Sequence, residues 1–212
     1  MQKAVVLIIA MLFLLISRPA SGGITNGDFS AGNSGFTSAY TYTSSSGSVG
    51  DYSVVANPQT FEAGLFSFGD HTTGSGLMMV VDGYLPTATV WSEAVAVTTQ
   101  TNYSFTGWFR ATYGGNTPQI AMNVASGPVS LGSLTPVSLT DTQWQQFAVN
   151  FNTGAASSVT LSFSDQNANY LAVGDDFAAD DLALAPIVAL PEPASAAIFA
   201  GATTLLMRRK RA

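Results

Sequence analysis

Four carboxylates fall within seven residues near the end of the chain, Asp175, Asp176, Asp180 and Asp181, with no basic residue close by in sequence. Like charges so close raise one another's pKa unless solvent or a cation relieves them. Calcium, a hard cation, takes oxygen ligands of this kind. The spacing is not that of an EF-hand loop, so acids on a solvated turn are the competing reading. A second candidate is aromatic. Tyr103 to Arg110 alternates, with Tyr103, Phe105, Gly107 and Phe109 on one face and Ser104, Thr106, Trp108 and Arg110 on the other. An indole face can stack on a sugar ring, and a guanidinium can donate to hydroxyls in a fixed fork. Trp108 and Arg110 are therefore the candidate carbohydrate contacts. The competing reading packs Trp108 under a loop and pairs Arg110 with an aspartate.

Catalytic constellations are scarce. His71 is the single histidine and cysteine is absent, which leaves Ser-His or Cys-His systems at most one base. His71 sits in Gly69-Asp70-His71-Thr72-Thr73-Gly74, a loop sequence that reads most simply as solvated. Zinc chemistry lacks ligands, and no glycine-rich phosphate loop with its lysine occurs. Two carboxylates could run a glycosidase, but nothing marks a pair. The expectation is a protein without catalysis.

These side chains must be positioned by strands. Glycine, serine, threonine and asparagine are dense, no segment holds a helical period for ten residues, and short β-branched or aromatic runs recur between turn signals. Ile24 to Phe29 is the first run. A long loop, Ser30 to Gly50, carries a short strand near Tyr40 to Thr43. Asp51 to Ala56 and Leu77 to Val81 follow, stopped by Asn57-Pro58 and Asp82-Gly83. Trp91, Val95 and Val97 share a face, as do Ile120, Met122 and Val124, then Phe147, Val149 and Phe151, then Val159, Leu161 and Phe163. Half-buried strands of this pattern, about ten in all, predict an all-β, two-sheet antiparallel jelly-roll sandwich. Asp180 to Leu184 closes the body, and Ala185-Pro186 reads as a linker.

The order of these pieces resembles the galactose-binding-domain-like jelly roll shared by carbohydrate-binding modules. Asn26-Gly27-Asp28-Phe29 opens the body, Trp144-Gln145-Gln146-Phe147 precedes the late strands, and Asp180-Asp181-Leu182-x-Leu184 closes it. The resemblance implies that the first and last strands lie side by side and hold a structural calcium, with Asp180 as one ligand and Asp28 as a second. Ser30 stands where many relatives carry an acid. The resemblance also implies a structural, buried Trp144.

Both ends read as signals. Lys3, the apolar run Ala4 to Ile16 and the small residues Ala20-Ser21-Gly22 form a signal peptide over 1–22, cut by signal peptidase. At the other end, Pro191-Glu192-Pro193 precedes 14 uncharged residues, Ala194 to Met207, and then Arg208-Arg209-Lys210-Arg211. At about 1.5 Å per residue that run reaches about 21 Å as a helix, short of a hydrocarbon core of about 30 Å. Four terminal positive charges belong on the cytoplasmic side. Residues 190–212 thus form a weak anchor, a short transmembrane helix, and resemble a PEP-CTERM sorting signal with Pro191, Glu192 and Pro193 matching its motif. That resemblance implies an exosortase as processing partner, transient residence in the inner membrane, and delivery to the cell surface or extracellular matrix of a bacterium with an outer membrane.

Between the signals, residues 23–189 hold twelve of the thirteen acids and Arg110 as the one base, a net charge of about −11. A nucleic-acid binder needs a basic footprint, which this body lacks. Without cysteines, stability must come from packing. The sequence therefore predicts an exported, non-catalytic β-sandwich that contacts exopolysaccharide. The alternatives are a structural or adhesion matrix protein with no specific sugar and a small glycoside hydrolase.

Overall fold

A computed structural model of the chain describes residues 23–46, 48–83, 87–114, 117–139, 143–167 and 175–188. The segments read as a signal peptide, 1–22, and as a sorting signal, 190–212 with Pro191, Glu192 and Pro193, lie outside these residues. Among the described residues no helix is long and apolar enough to cross a membrane.

Ten strands form in chain order: β1 (Thr41–Tyr42), β2 (Asp51–Val55), β3 (Met78–Val81), β4 (Thr89–Ala96), β5 (Asn102–Ala111), β6 (Gln119–Ser126), β7 (Val129–Ser138), β8 (Gln145–Asn152), β9 (Ser158–Asp165) and β10 (Phe177–Pro186). They build a six-stranded sheet ordered β1-β2-β3-β10-β5-β8 and a four-stranded sheet ordered β4-β9-β6-β7. The pairs are antiparallel except β1 with β2, which is parallel. The architecture is the expected all-β, two-sheet sandwich. Its inner faces are supplied by strand alternation, the period-2 rule for half-buried strands. Tyr103, Phe105 and Phe109 of β5 are buried against Ile120, Met122 and Val124 of β6 and Val159, Leu161 and Phe163 of β9. Trp91 lies at the centre, fully buried and stacked on Phe105 at 6.1 Å and Phe163 at 6.0 Å between ring centroids.

The opening run departs from expectation. Ile24 to Phe29 forms turns, not a strand. Asn26, at φ +56°, uses its side chain as a staple: the amide donates to the Gly32 and Ser34 carbonyls, and its oxygen accepts from Ala31 N–H at 2.7 Å. The turn still reaches the last strand, because Leu182 N–H donates to the Gly27 carbonyl at 2.9 Å. A Cβ at Gly27 would collide with the Leu182 carbonyl, so only glycine permits that approach. Ala185 and Pro186, expected as a linker, extend β10 and pair with Ser104 and Tyr103.

A second layer covers part of the six-stranded sheet from outside. Between β2 and β3 the chain makes an excursion opened by a 3-10 turn, Pro58–Thr60, capped by the Asn57 side chain. Phe61 and Leu65 of this excursion are buried on Met78, Val80 and Ala178, the outward residues of β3 and β10. All four residues of β3 are buried for that reason: Met79 and Val81 face the main core, Met78 and Val80 the outer layer. The excursion ends in a tight turn at Asp70, whose carboxylate accepts from Thr73 and Gly76 N–H at 2.9 and 2.7 Å.

Candidate functional site

One irregularity in β10 builds the site. Asp180 pairs with Trp108 and Ala183 with Thr106, so three steps on β10 face two on β5. This β-bulge is centred on Asp181, in the left-handed region at φ +48°. In regular alternation Asp180 and Asp181 would face opposite sides of the sheet. The bulge sends both carboxylates to the outer side and returns Leu182 to the core, where it is 4% exposed.

There they meet the Asp70 turn. Asp180 is fully buried, and its Oδ2 accepts from His71 N–H at 2.8 Å and from the Thr72 N–H and hydroxyl at 3.2 Å, while Oδ1 accepts from Asp181 N–H. Burial pushes its carboxyl up to about 6, against the lowering effect of the N–H groups it accepts from. Asp181 Oδ2 lies 2.6 Å from His71 Nδ1, and its Oδ1 accepts from the Thr72 hydroxyl, also at 2.6 Å. With its Nδ1 held by Asp181, the His71 imidazole stacks on Trp108, centroids 3.8 Å apart and planes 17° from parallel. Trp144 meets His71 edge-on at 5.8 Å and Phe68 edge-on at the same distance.

His71 is therefore not the solvated loop residue the sequence suggests. Trp108 does face outward, opposite the buried Phe105 and Phe109, but one ring face is covered. Trp108 lines an open groove of about 540 Å³ on this outer face. Its floor is Thr106, Gln146 and Ala183, and its far wall is Asn26, Gly27 and Asp28. The groove does not take in Arg110. That side chain points the same way as Trp108, but its guanidinium lies 3.8 Å over the Phe68 ring, a cation–π contact. Trp144, expected as buried structure, belongs to this half-buried outer cluster and not to the inner core.

The two acids named for calcium stand apart in role. Asp28 is exposed and accepts from the Ser30 N–H and hydroxyl. Asp180 spends its oxygens on four donors of the chain. Among the described residues, no three acidic or histidine side chains already converge as a metal group.

Asp175 and Asp176 go elsewhere, to the start of β10. Asp176 lies within hydrogen-bond reach of Asp82, and Asp175 of Asp165. Burial first and the neighbouring Asp82 charge second push Asp176 up to about 8. Burial and then the Asp165 charge push Asp175 up to about 7.

Comparison with known proteins adds the fold. The chain is similar in structure to a cyclase from Fischerella sp. TAU, solved in complex with 4-(1H-indol-3-yl)butan-2-one, at 10% identity and a TM-score of 0.57, covering 82% of this chain and 100% of that one. It is also similar to the N-terminal CBM22-1–CBM22-2 tandem domain of Paenibacillus barcinonensis Xyn10C, at 16% identity and a TM-score of 0.53, covering 83% of this chain and 48% of that one. No family model and no curated protein matches the sequence. At these identities the likeness establishes the sandwich fold, and function must be argued from the site.

Proposed function

We propose that this is an exported, non-catalytic β-sandwich that binds polysaccharide in the groove beside Trp108. The observation that carries the reading is the make-up of that groove. It offers an aromatic ring held rigid by the His71 stack, the amide of Gln146, the carboxylates of Asp28 and Asp181, and apolar small residues between them. Sugar rings present apolar C–H faces and a rim of hydroxyls. An indole supplies the first contact, and amides and carboxylates bond the second. The open shape suits a chain ligand that runs through it. The similarity to the CBM22 tandem domain agrees with this reading. Export and sorting to the surface or matrix rest on the two terminal signals, with signal peptidase and exosortase as processing partners.

The lining of the groove offers no activated nucleophile. His71 is tied to Asp181 and stacked on Trp108, so its imidazole serves the architecture of the wall. A second reading, a matrix protein whose sandwich binds no specific sugar, is favoured by the same stack, because it hides one face of the ring. Probing an array of soluble plant and bacterial polysaccharides with the full chain separates the two. The binding reading expects retention of at least one glycan class and its loss in Gln146→Ala, an exposed floor residue. Silence across the array would leave the matrix reading standing.

A further inference from the structure

Charge is divided unevenly between the two ends of the sandwich. Asp51 begins β2, Asp82 follows β3, Asp165 ends β9, and Asp175 and Asp176 lead into β10, with Glu62 close to Asp176. Antiparallel pairing gathers the opposite strand ends, with Pro186 beside Tyr103, Asn102 beside Asn152, Ala96 beside Ser158, and Ala125 beside Thr160. The segments that meet there, 96–104, 125–133, 150–160 and 183–189, contain no charged residue.

This uncharged end is a fixed platform, because its loops are tied to one another. Thr153, 1% exposed, donates its hydroxyl to the Thr98 carbonyl at 2.8 Å and accepts from Thr101 N–H at 3.0 Å. Gln100 N–H donates to the Gly154 carbonyl at 2.7 Å, and Val97 N–H to the Ser157 carbonyl at 3.0 Å. Thr99, Gln100, Ala155 and Ser157 are exposed on the platform, as are the apolar Val129, Ile187 and Val188.

The chain also leaves the sandwich from here. Ile187 N–H still donates to the Asn102 carbonyl at 2.8 Å, and five residues, 189–193, separate Val188 from the uncharged run that begins at Ala194. Fully extended, five residues span at most about 18 Å, and the headgroup layer of a bilayer takes up about 5–7 Å of that. β10 has 10 residues, so at about 3.3 Å per residue the sandwich is about 33 Å from end to end. Standing on the platform, it keeps the acidic end several screening lengths, each about 8 Å at physiological salt, from anionic headgroups. Lying on its side, it would bring those acids against like charge.

We propose that the uncharged end is a membrane-facing surface, resting on the phospholipid headgroups of the bilayer that residues 194–207 enter. The proposal rests on the reading of residues 190–212 as an anchor. Its chemistry suits headgroups: the hydroxyls of Thr99 and Ser157 and the amide of Gln100 can donate to phosphate oxygens, with no carboxylate beside them to repel the lipid. Val129, Ile187 and Val188 add apolar area that the interface can cover. The groove beside Trp108, on the outer face of the six-stranded sheet, then points sideways and stays open to polysaccharide while the chain is tethered.

Spin labelling tests it, since the absence of cysteine allows single labels. The chain is isolated from the membranes of an expressing bacterium after signal-peptide removal and placed in vesicles of phosphatidylethanolamine and phosphatidylglycerol doped with a nickel-chelating lipid. Labels at Thr99→Cys and Ser157→Cys should show a relaxation enhancement at least fivefold greater than one at Val49→Cys, which is exposed at the acidic end. If Ser157→Cys fails to fold by circular dichroism, Ala155→Cys takes its place. Thr99→Glu with Ser157→Glu should lower the enhancement of an Ala155→Cys label at least twofold on these vesicles and leave it unchanged on phosphatidylcholine. Equal enhancement at both ends of vesicle-bound chains overturns the proposal and spares the anchor reading, as does a charge variant without effect. Chains that do not float with the vesicles overturn the anchor reading and the proposal together.

Discussion

His71 lies flat on Trp108, ring centroids 3.8 Å apart and planes 17° from parallel, with its Nδ1 held by Asp181. The contact joins residues from the β2–β3 excursion and the middle of β5, and the bulge in β10 supplies the carboxylate that fixes it. It decides how the groove can work, since a ring clamped from one side cannot swing away from a ligand on the other.

His71→Ala removes the clamp. An aromatic pair of this kind contributes about 0.5–1.5 kcal/mol beyond area burial. We therefore expect a loss of about 1 kcal/mol in chemical denaturation and a two- to fivefold weaker glycan affinity, through a less fixed Trp108. Unchanged stability would show that the stack contributes nothing.

Asp180→Ala strips three bonds from the Asp70 turn and leaves the His71 and Thr72 N–H groups without their acceptor. A cost of about 1–3 kcal/mol follows for buried donors left unpaired. Amide hydrogen exchange should accelerate at residues 70–76 well before it does in β5. Protection equal to the parent would mean that the loop is held by other contacts.

The buried acids at the start of β10 predict a pH dependence of stability. The folded-state pKa values of Asp175 and Asp176, about 7 and about 8, lie above the ordinary carboxylate value of 3.8. The native state therefore binds more protons than the unfolded chain between about pH 4 and pH 8, and stability falls as pH rises through that window. The melting temperature should drop from pH 5 to pH 8.5, and Asp176→Asn should recover part of the loss. A flat profile would contradict the burial of these two groups.

Much of this was legible in the sequence because strand alternation is a strong signal when one face is buried. β5, β6, β8 and β9 each carry three or more apolar residues at period 2, and each forms where the pattern places it. β7, Val129-Ser-Leu-Gly-Ser-Leu-Thr-Pro-Val-Ser138, escaped notice because it is an edge strand that buries none of its residues, and Gly132 and Pro136 read as breakers. The site was half legible. Parity put Trp108 outside, but pairing it with Arg110 ignored the excursion, which brings Phe68 under the guanidinium and His71 onto the indole. Nor does alternation foresee a bulge: Asp180-Asp181 marks one only through the tolerance of aspartate for a positive φ. The four clustered acids looked like one group, whereas the length of β10 sends Asp175 and Asp176 to one end and Asp180 and Asp181 to the outer face.

The proposed sorting has its own test. Replacing Pro191-Glu192-Pro193 with three alanines in the producing bacterium should leave the protein uncut in the inner-membrane fraction. Shortening and export equal to the parent would make the motif incidental.

Titration calorimetry of the full chain and its Trp108→Ala variant against the polysaccharide retained on the array bears most directly on the groove. The half-buried, outward position of Trp108 predicts at least a tenfold loss of affinity, with a stability cost well below the about 3–5 kcal/mol of a core tryptophan. Equal affinity in parent and variant, or lost binding accompanied by that full stability cost, would contradict a sugar site at Trp108.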